Sequence, residues 1–112
     1  MSQRVLRVLR TDKTWVLATW RGREVWTGKC LICNRHLQTE LDGTPISRVT
    51  VEHILPRNHG GTDDLRNLAL ACARCNNQKG SRIDCRHAGD PKLWEVIRDL
   101  QEKRARRWRD PP

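Results

Sequence analysis

The segment that decides the fold is residues 72–80, CARCNNQKG, which opens with the second of two Cys-x-x-Cys pairs in the chain. The first pair is Cys30 and Cys33, and residues 34–71 lie between the two pairs. Each pair can form a tight turn that presents two thiolates. Two such turns supply the four sulfurs, about 2.3 Å from the ion, that tetrahedral Zn²⁺ requires. The sequence therefore predicts a structural zinc site held by Cys30, Cys33, Cys72 and Cys75.

A disulfide framework is the alternative use of these cysteines. We expect no secretory signal at the start of the chain, and five cysteines cannot all pair with one another. Both observations favour reduced thiols. A redox Cys-x-x-Cys pair would not need a duplicate. Cys85 lies outside the two pairs and is expected to be an ordinary thiol.

The composition explains why a metal would help this chain to fold. It has 112 residues, 37% of them hydrophobic, and it contains neither Phe nor Tyr. This length fits a single domain, 1–112, whose core is thin for its size. Structural zinc contributes about 10–16 kcal/mol to the folding of small metal-binding peptides, which would offset such a core. No apolar run reaches the ~20 residues of a membrane helix, so we expect no membrane partner.

The net charge indicates a polyanionic partner. Lys and Arg total 22 against 13 Asp and Glu, which gives a formal charge of +9. Clustered cations on a small domain attract phosphate, and the planar guanidinium of Arg matches phosphate geometry. In the basic run at 103–109 we expect Arg104, Arg106 and Arg107 to be phosphate contacts. The alternative is a solvated helix end.

Local patterns predict three elements. Residues 46–55 are rich in β-branched side chains and are predicted to be extended. Residues 65–78 are predicted to form a helix, because apolar residues follow Leu68 at helical spacing. Residues 90–109 are predicted to form a helix with Asp90 as its cap and a proline in its first turn.

The N-terminal third is harder to assign. Residues 3–10 have apolar pairs every three residues, a pattern that fits neither a helix nor a strand cleanly. Residues 14–20 fit a strand or the end of a helix. Arg4, Arg7 and Arg10 add to the basic charge, but no element places them.

The residues with catalytic potential lie between and just beyond the cysteine pairs. Glu52 and His53 are neighbours at the predicted strand end, so their side chains point to opposite sides. The carboxylate of Glu52 and the amide oxygen of Asn76 are hard ligands that suit Mg²⁺ or Mn²⁺, with water and phosphate completing the shell. His53 is then the natural general base, because a neutral imidazole accepts a proton from water near pH 7.

With these residues in view, residues 30–81 resemble an HNH (ββα-metal) endonuclease of the zinc-stapled type. The resemblance covers about half of the chain and rests on Cys30-x-x-Cys33, Glu52-His53-Ile54-x-Pro56, Gly60-Gly61, Asn67-Leu68 and Cys72-x-x-Cys75-Asn76-x-x-Lys79-Gly80. It implies an α+β fold, with a small ββα-metal core at 29–81, a Zn(Cys)₄ staple and flanking helices. An N-terminal segment, 1–28, precedes this core, and a C-terminal basic helix, 90–109, follows it.

The resemblance also implies a role for each matched residue. His53 matches the general base, and Glu52 matches the metal ligand before it, where Asp or His is commoner. Asn67 matches the Asn that ties the loop across the ββα turn and helps to orient the base. Asn76 matches the last letter of the family name, and as Asn in place of His it still ligates the catalytic metal. The four cysteines match the structural zinc staple.

The implied activity is metal-dependent hydrolysis of a DNA phosphodiester, which leaves a 5′-phosphate and a 3′-hydroxyl. One ββα unit cuts one strand, so we expect nicking, or double-strand cutting by a homodimer, with a possible partner that supplies targeting. Double-stranded DNA is the expected substrate, and Arg57, Arg74 and Lys79 are further candidate contacts.

Small nucleases of this kind resemble those of phages, mobile elements and bacterial restriction systems. The resemblance therefore implies the cytoplasm of a bacterium or of a phage-infected host. The alternative function is a zinc-stapled nucleic-acid-binding module without catalysis, which would not need the carboxylate, the imidazole and the amide together.

Overall fold

The computed structural model describes residues 2–111. Its elements in chain order are α1 (Gln3–Leu9), β1 (Val16–Trp20), β2 (Arg23–Lys29), β3 (His36–Thr39), β4 (Val49–His53), β5 (Leu68–Cys72), α2 (Ala73–Lys79) and α3 (Pro91–Arg107). Two 3₁₀ turns, Arg57–His59 and Leu65–Asn67, and a π-helix, Gly80–Asp84, lie between them. The architecture is the predicted α+β class. Among the described helices, none has both the length and the apolar character needed to cross a membrane.

The first sheet is an antiparallel meander of β1, β2 and β3. Its first turn is a two-residue loop, Arg21 and Gly22, in which both residues have positive φ (51° and 78°). Such a loop twists with the strands it joins, and this fixes the register of Val16 opposite Thr27. Most of the segment 14–20, from Val16 onward, is therefore a strand and not a helix end. The β2–β3 connection carries the first cysteine pair.

The second sheet is the antiparallel pair β4 and β5, in register from Val49 opposite Cys72 to His53 opposite Leu68. The strand β4 confirms the extended prediction for this part of the chain. The helix predicted over 65–78 is wrong in its first half, because all five residues of β5 are buried. A short, fully buried strand has apolar residues at every position, so it also satisfies a helical spacing test. The helix begins only at Ala73.

Helix α1 resolves the ambiguity of the N-terminal segment. The apolar pairs at 5–6 and 8–9 are buried together against the β4–β5 sheet, so the spacing belongs to one helical face. The Ser2 hydroxyl caps the helix by accepting a hydrogen bond from the Val5 amide at 3.2 Å. The core that α1 shares with Trp15 packs against the cysteine-bearing ends of the sheets.

Helix α3 begins as predicted. The Asp90 carboxylate accepts from the Lys92 amide at 2.9 Å, and Pro91 occupies the first helical position. Leu93, Ile97 and Leu100 are buried in the second core cluster, beside Leu31, Ile54 and Ala69.

The basic end of α3 is partly internal, contrary to expectation. The side chain of Arg104 is part of the core, with 2% exposure. Its guanidinium donates to the carbonyls of Leu68 (2.7 Å), Thr11 (3.0 Å) and Leu65 (3.2 Å). Arg107 is also buried and donates to the carbonyl of Cys30.

The prediction that Arg104 and Arg107 contact phosphate is therefore wrong. Their donors are committed to internal carbonyls and side-chain oxygens, so these guanidinium groups are not free to bind phosphate. Arg106, between them, is exposed and stays a candidate contact.

We expect Arg104→Gln to lower the free energy of unfolding by about 2–4 kcal/mol, because the shorter side chain loses hydrogen bonds that the buried guanidinium donates to Leu68, Thr11 and Leu65. Arg106→Gln removes the same charge two residues away on the exposed face and should change stability by less than about 0.5 kcal/mol. Urea denaturation of the zinc-loaded protein measures both. Equal effects of the two changes would contradict an internal, structural role for Arg104.

Candidate active site

The four paired cysteines form one cluster. The sulfur atoms of Cys30, Cys33, Cys72 and Cys75 all lie within 4.8 Å of one another. The first pair lies in the turn after β2, which is closed by hydrogen bonds from the Cys30 amide to the Arg35 carbonyl and from the Asn34 amide to the Cys30 carbonyl. The second pair lies where β5 passes into α2. The predicted four-cysteine cluster is confirmed.

The cluster fits a tetrahedral zinc ion. A Zn–S distance of about 2.3 Å requires sulfurs about 3.8 Å apart, and the Sγ atoms of Cys33 and Cys72 are 3.9 Å apart. Burial, together with the neighbouring thiols, raises the pKa of Cys75. A metal would reverse this by favouring the thiolates that bind it. Residues that are distant along the chain therefore share one soft, sulfur-only site, typical of structural zinc.

The loop between β4 and β5 is closed by the side chain of Asn67. Its Oδ1 accepts from the Leu55 amide at 2.8 Å, while its Nδ2 donates to the carbonyls of Leu55 (3.0 Å) and Thr62 (2.8 Å). These bonds fix the backbone two residues after His53. The backbone just after His53 is thereby tied to the residue that directly precedes β5.

Gly61 lets this loop turn back on itself. A Cβ atom at Gly61 would collide with the Leu55 carbonyl oxygen, so no other residue fits without moving the backbone. The preceding Gly60 has φ 91°, in the left-handed region that favours glycine. The Gly-Gly pair therefore serves the turn itself.

A surface cluster of charged side chains surrounds His53. The Nε2 atom of His53 lies 2.7 Å from Oδ1 of Asp63, 3.3 Å from Nε of Arg57 and 3.4 Å from Nη2 of Arg4. Arg57 also donates to both oxygens of Asp63, at 2.9 and 3.1 Å. The hydrogen bond to His53 and the two arginines lower the pKa of the Asp63 carboxyl. Asp63 and Arg4 were not among the sequence candidates, because nothing local links them to His53.

Glu52 lies on the other face of β4, in a buried ion-pair network. Its Oε1 is 2.7 Å from Nζ of Lys79, which is also 2.7 Å from Oδ1 of Asp84 and 3.0 Å from the His53 carbonyl. These three acceptors use all three donors of the ammonium group. Burial raises the pKa of Glu52, and the contact with Lys79 opposes this shift.

This network changes the interpretation of Lys79. Its side chain is 3% exposed, so the prediction that it contacts DNA is wrong. It instead joins α2 to the end of β4 and to the π-helix. The signal missed in the sequence was Asp84, which lies in a segment that had no assigned element.

Asn76 faces the same side of β4, one helical turn before Lys79. Its Nδ2 donates to Oγ1 of Thr50 at 3.0 Å, and the Thr50 hydroxyl donates to the Ala71 carbonyl. Thr50 and Glu52 are two residues apart in β4, so their side chains lie on the same face of the strand. The amide nitrogen is committed, so the amide oxygen is the atom that can ligate a cation. An amide oxygen and a carboxylate are hard donors of the kind that Mg²⁺ and Mn²⁺ prefer.

The 3₁₀ turn after β4 is anchored to the π-helix. Nδ2 of Asn58 lies 2.9 Å from the Asp84 carbonyl, and Nε2 of His59 lies 3.1 Å from it. The His59 ring also packs edge-on against Trp94. Of the predicted DNA contacts nearby, Arg57 and Arg74 are exposed.

Comparison with protein families matches residues 30–82 to the family HNH endonuclease. This segment therefore matches the HNH family, and its cysteine cluster is consistent with the zinc-stapled type. Such a domain indicates a nuclease, with nucleic acid as its substrate. No curated protein and no solved structure matches the chain. Helices α1 and α3 lie outside the matched segment.

We expect the purified protein to retain about one equivalent of zinc after desalting, and Cys72→Ser to lose that zinc and unfold, because structural zinc supplies folding energy in small domains. Cys85→Ser, at an exposed cysteine outside the cluster, should retain zinc and stability. Metal analysis and circular dichroism measure both. A Cys72→Ser protein with native stability and no zinc would contradict the structural role of the cluster.

Proposed function

We propose that the protein is a metal-dependent DNA endonuclease in which His53 is the general base. The observation that carries this proposal is the setting of His53. It ends a strand, is 18% exposed, contacts Asp63 and lies beside two guanidinium groups. A base for attack on DNA needs access to water and a cationic surface for the phosphate, and this position offers both.

The contact with Asp63 selects the nitrogen that accepts the proton. The carboxylate oxygen 2.7 Å from Nε2 can only accept, so we infer that Nε2 carries the hydrogen and that the 3.3 Å approach of the Arg57 Nε–H to this nitrogen is then not a hydrogen bond. In the neutral imidazole the lone pair is then on Nδ1. We infer that Nδ1 takes a proton from the attacking water, while Asp63 fixes the ring orientation and stabilises the imidazolium that forms.

The opposite face of β4 would hold the catalytic metal. Glu52 and Asn76 are the proposed ligands, with water and phosphate oxygens completing the shell. A bound Mg²⁺ or Mn²⁺ would polarise the scissile phosphate and stabilise the leaving oxygen. The Lys79 ammonium lies 2.7 Å from Oε1 of Glu52, so a metal held by Glu52 would compete with this ammonium group.

The finer features of the activity follow the HNH resemblance. We propose that the product carries a 5′-phosphate and that one protomer nicks one strand, with double-strand cutting left to a homodimer or to two visits. Arg57, Arg74 and Arg106 are the proposed DNA contacts that remain exposed. A targeting partner, and the cytoplasm of a bacterium or phage-infected host, remain part of the proposal.

We expect the zinc-loaded protein to nick supercoiled plasmid DNA when Mg²⁺ or Mn²⁺ is added, and His53→Ala to reduce the rate by about 10²–10⁴-fold, the usual contribution of a general base. His87→Ala is the matched control, since His87 is an exposed histidine away from the site. Gel electrophoresis of the nicked form gives the rates.

Three outcomes separate the possibilities. Equal inactivity of the wild type and both variants across metals and pH would contradict a nuclease and favour the binding module. Equal activity of the wild type and His53→Ala would exclude His53 as the base. A loss in His87→Ala equal to that in His53→Ala would show that the assay reports something other than this site.

A further inference from the structure

The exposed face of α1 is made almost entirely of arginine. The helix lies outside the segment matched to the HNH family, and its buried face packs in the core. Its exposed residues are Gln3, Arg4 and Arg7, and the exposed Arg10 is the C-cap residue that follows directly. The helix contains no acidic residue. Three cations on seven residues with no anion among them repel one another, so this face favours an external polyanion.

Arg4 shows that this face begins at the candidate active site. It occupies the first turn of α1, where a cation is unfavourable because the N-terminal end of a helix dipole is positive. Its guanidinium nevertheless lies 3.3 Å from the Asp63 carboxylate and 3.4 Å from Nε2 of His53. Helix stability does not explain an arginine at this position, whereas its contacts with Asp63 and His53 do.

Arg7 and Arg10 extend the positively charged surface from Arg4 along the helix, away from His53. Arg4 and Arg7 line a shallow cavity of about 310 Å³ together with Asp63. Arg10, nearly one turn further, borders a second cavity beside Arg109. Within residues 2–111, neither Arg7 nor Arg10 forms an ion pair with an acidic side chain.

We propose that the exposed face of α1, formed by Arg4, Arg7 and Arg10, binds the phosphate backbone of duplex DNA next to the phosphate that is cut. This inference rests on the proposed nuclease function. From Arg4 to Arg10 the helix rises about 9 Å, which corresponds to two to three steps of a duplex strand along its axis. The face leads away from His53, so it would hold the strand on one side of the scissile bond. Contacts to phosphate position DNA without reading its sequence.

The test uses the full-length, zinc-loaded protein in a His53→Ala background, so that binding is measured without cleavage. Arg7→Gln and Arg10→Gln are introduced together, and Arg4 is left in place because it contacts the candidate site. The matched control is Arg82→Gln with Arg98→Gln, which removes two exposed charges elsewhere. Fluorescence anisotropy with a labelled 20-base-pair duplex is recorded from low to moderate salt.

We expect the α1 variant to bind about tenfold to a hundredfold more weakly near 0.1 M salt. The slope of log K against log salt should become shallower by about 2, since each phosphate that the protein no longer neutralises reduces the slope by about 0.9. The control should retain both the affinity and the slope of the parent. Circular dichroism and zinc content should be unchanged in both, since all four side chains are exposed.

Several results would overturn the proposal. An equal loss of affinity in the control variant would show that only net charge matters. An α1 variant that binds DNA like the parent would show that this face binds something else, such as an acidic protein. Absence of binding by the parent would also overturn it. Nicking by the wild type is a separate measurement, so a failure of this surface can be distinguished from a failure of the nuclease proposal.

Discussion

The junction between β5 and α2 is the constraint on which the rest of the structure depends. Cys72 ends the strand and Cys75 lies in the first turn of the helix, so the same few residues finish the second sheet and complete the cysteine cluster. The first cysteine pair is held against this junction, because the Cys72 amide donates to the sulfur of Cys30 and the Leu31 amide donates to the Leu70 carbonyl at 2.9 Å. The cysteine cluster thereby links the two sheets, which share no strand. In a chain with no Phe or Tyr, such a cross-link takes over part of the role of a larger core.

The end of α3 reinforces the same junction with charge instead of apolar surface. Arg107 donates to the carbonyl of Cys30, Lys103 donates to the carbonyl of Ile32, and Arg104 bridges Thr11, Leu65 and Leu68. Burial of a guanidinium is costly unless its donors are satisfied, and strand and loop ends supply many carbonyls. Part of the net charge of +9 is therefore structural, and it is not available to a polyanion.

The parts of the fold and site that were predictable from the sequence are those encoded over a few residues. The Cys-x-x-Cys spacing, the capped start of α3, and the strand that ends at His53 depend on local geometry, and the structure contains all three. The helix predicted across β5 failed because a buried strand and a helix can share an apolar spacing. The partners of Lys79 and His53 were out of reach, since Asp84 and Asp63 meet them only after the π-helix and the glycine turn have formed. The same basic run supplied both buried and exposed arginines, and only packing distinguishes them.

The alternation of β4 separates the two chemical roles of the candidate site. Glu52 faces α2, where Lys79 and Asp84 enclose it, and His53 faces outward, where Asp63, Arg57 and Arg4 surround it. A buried carboxylate and a partly exposed imidazole therefore occupy adjacent positions in the chain without sharing an environment. The outward face is completed by a residue of α1, which lies before the HNH segment. The site thus extends beyond the ββα unit, and the N-terminal helix, anchored by its apolar face, belongs to its architecture.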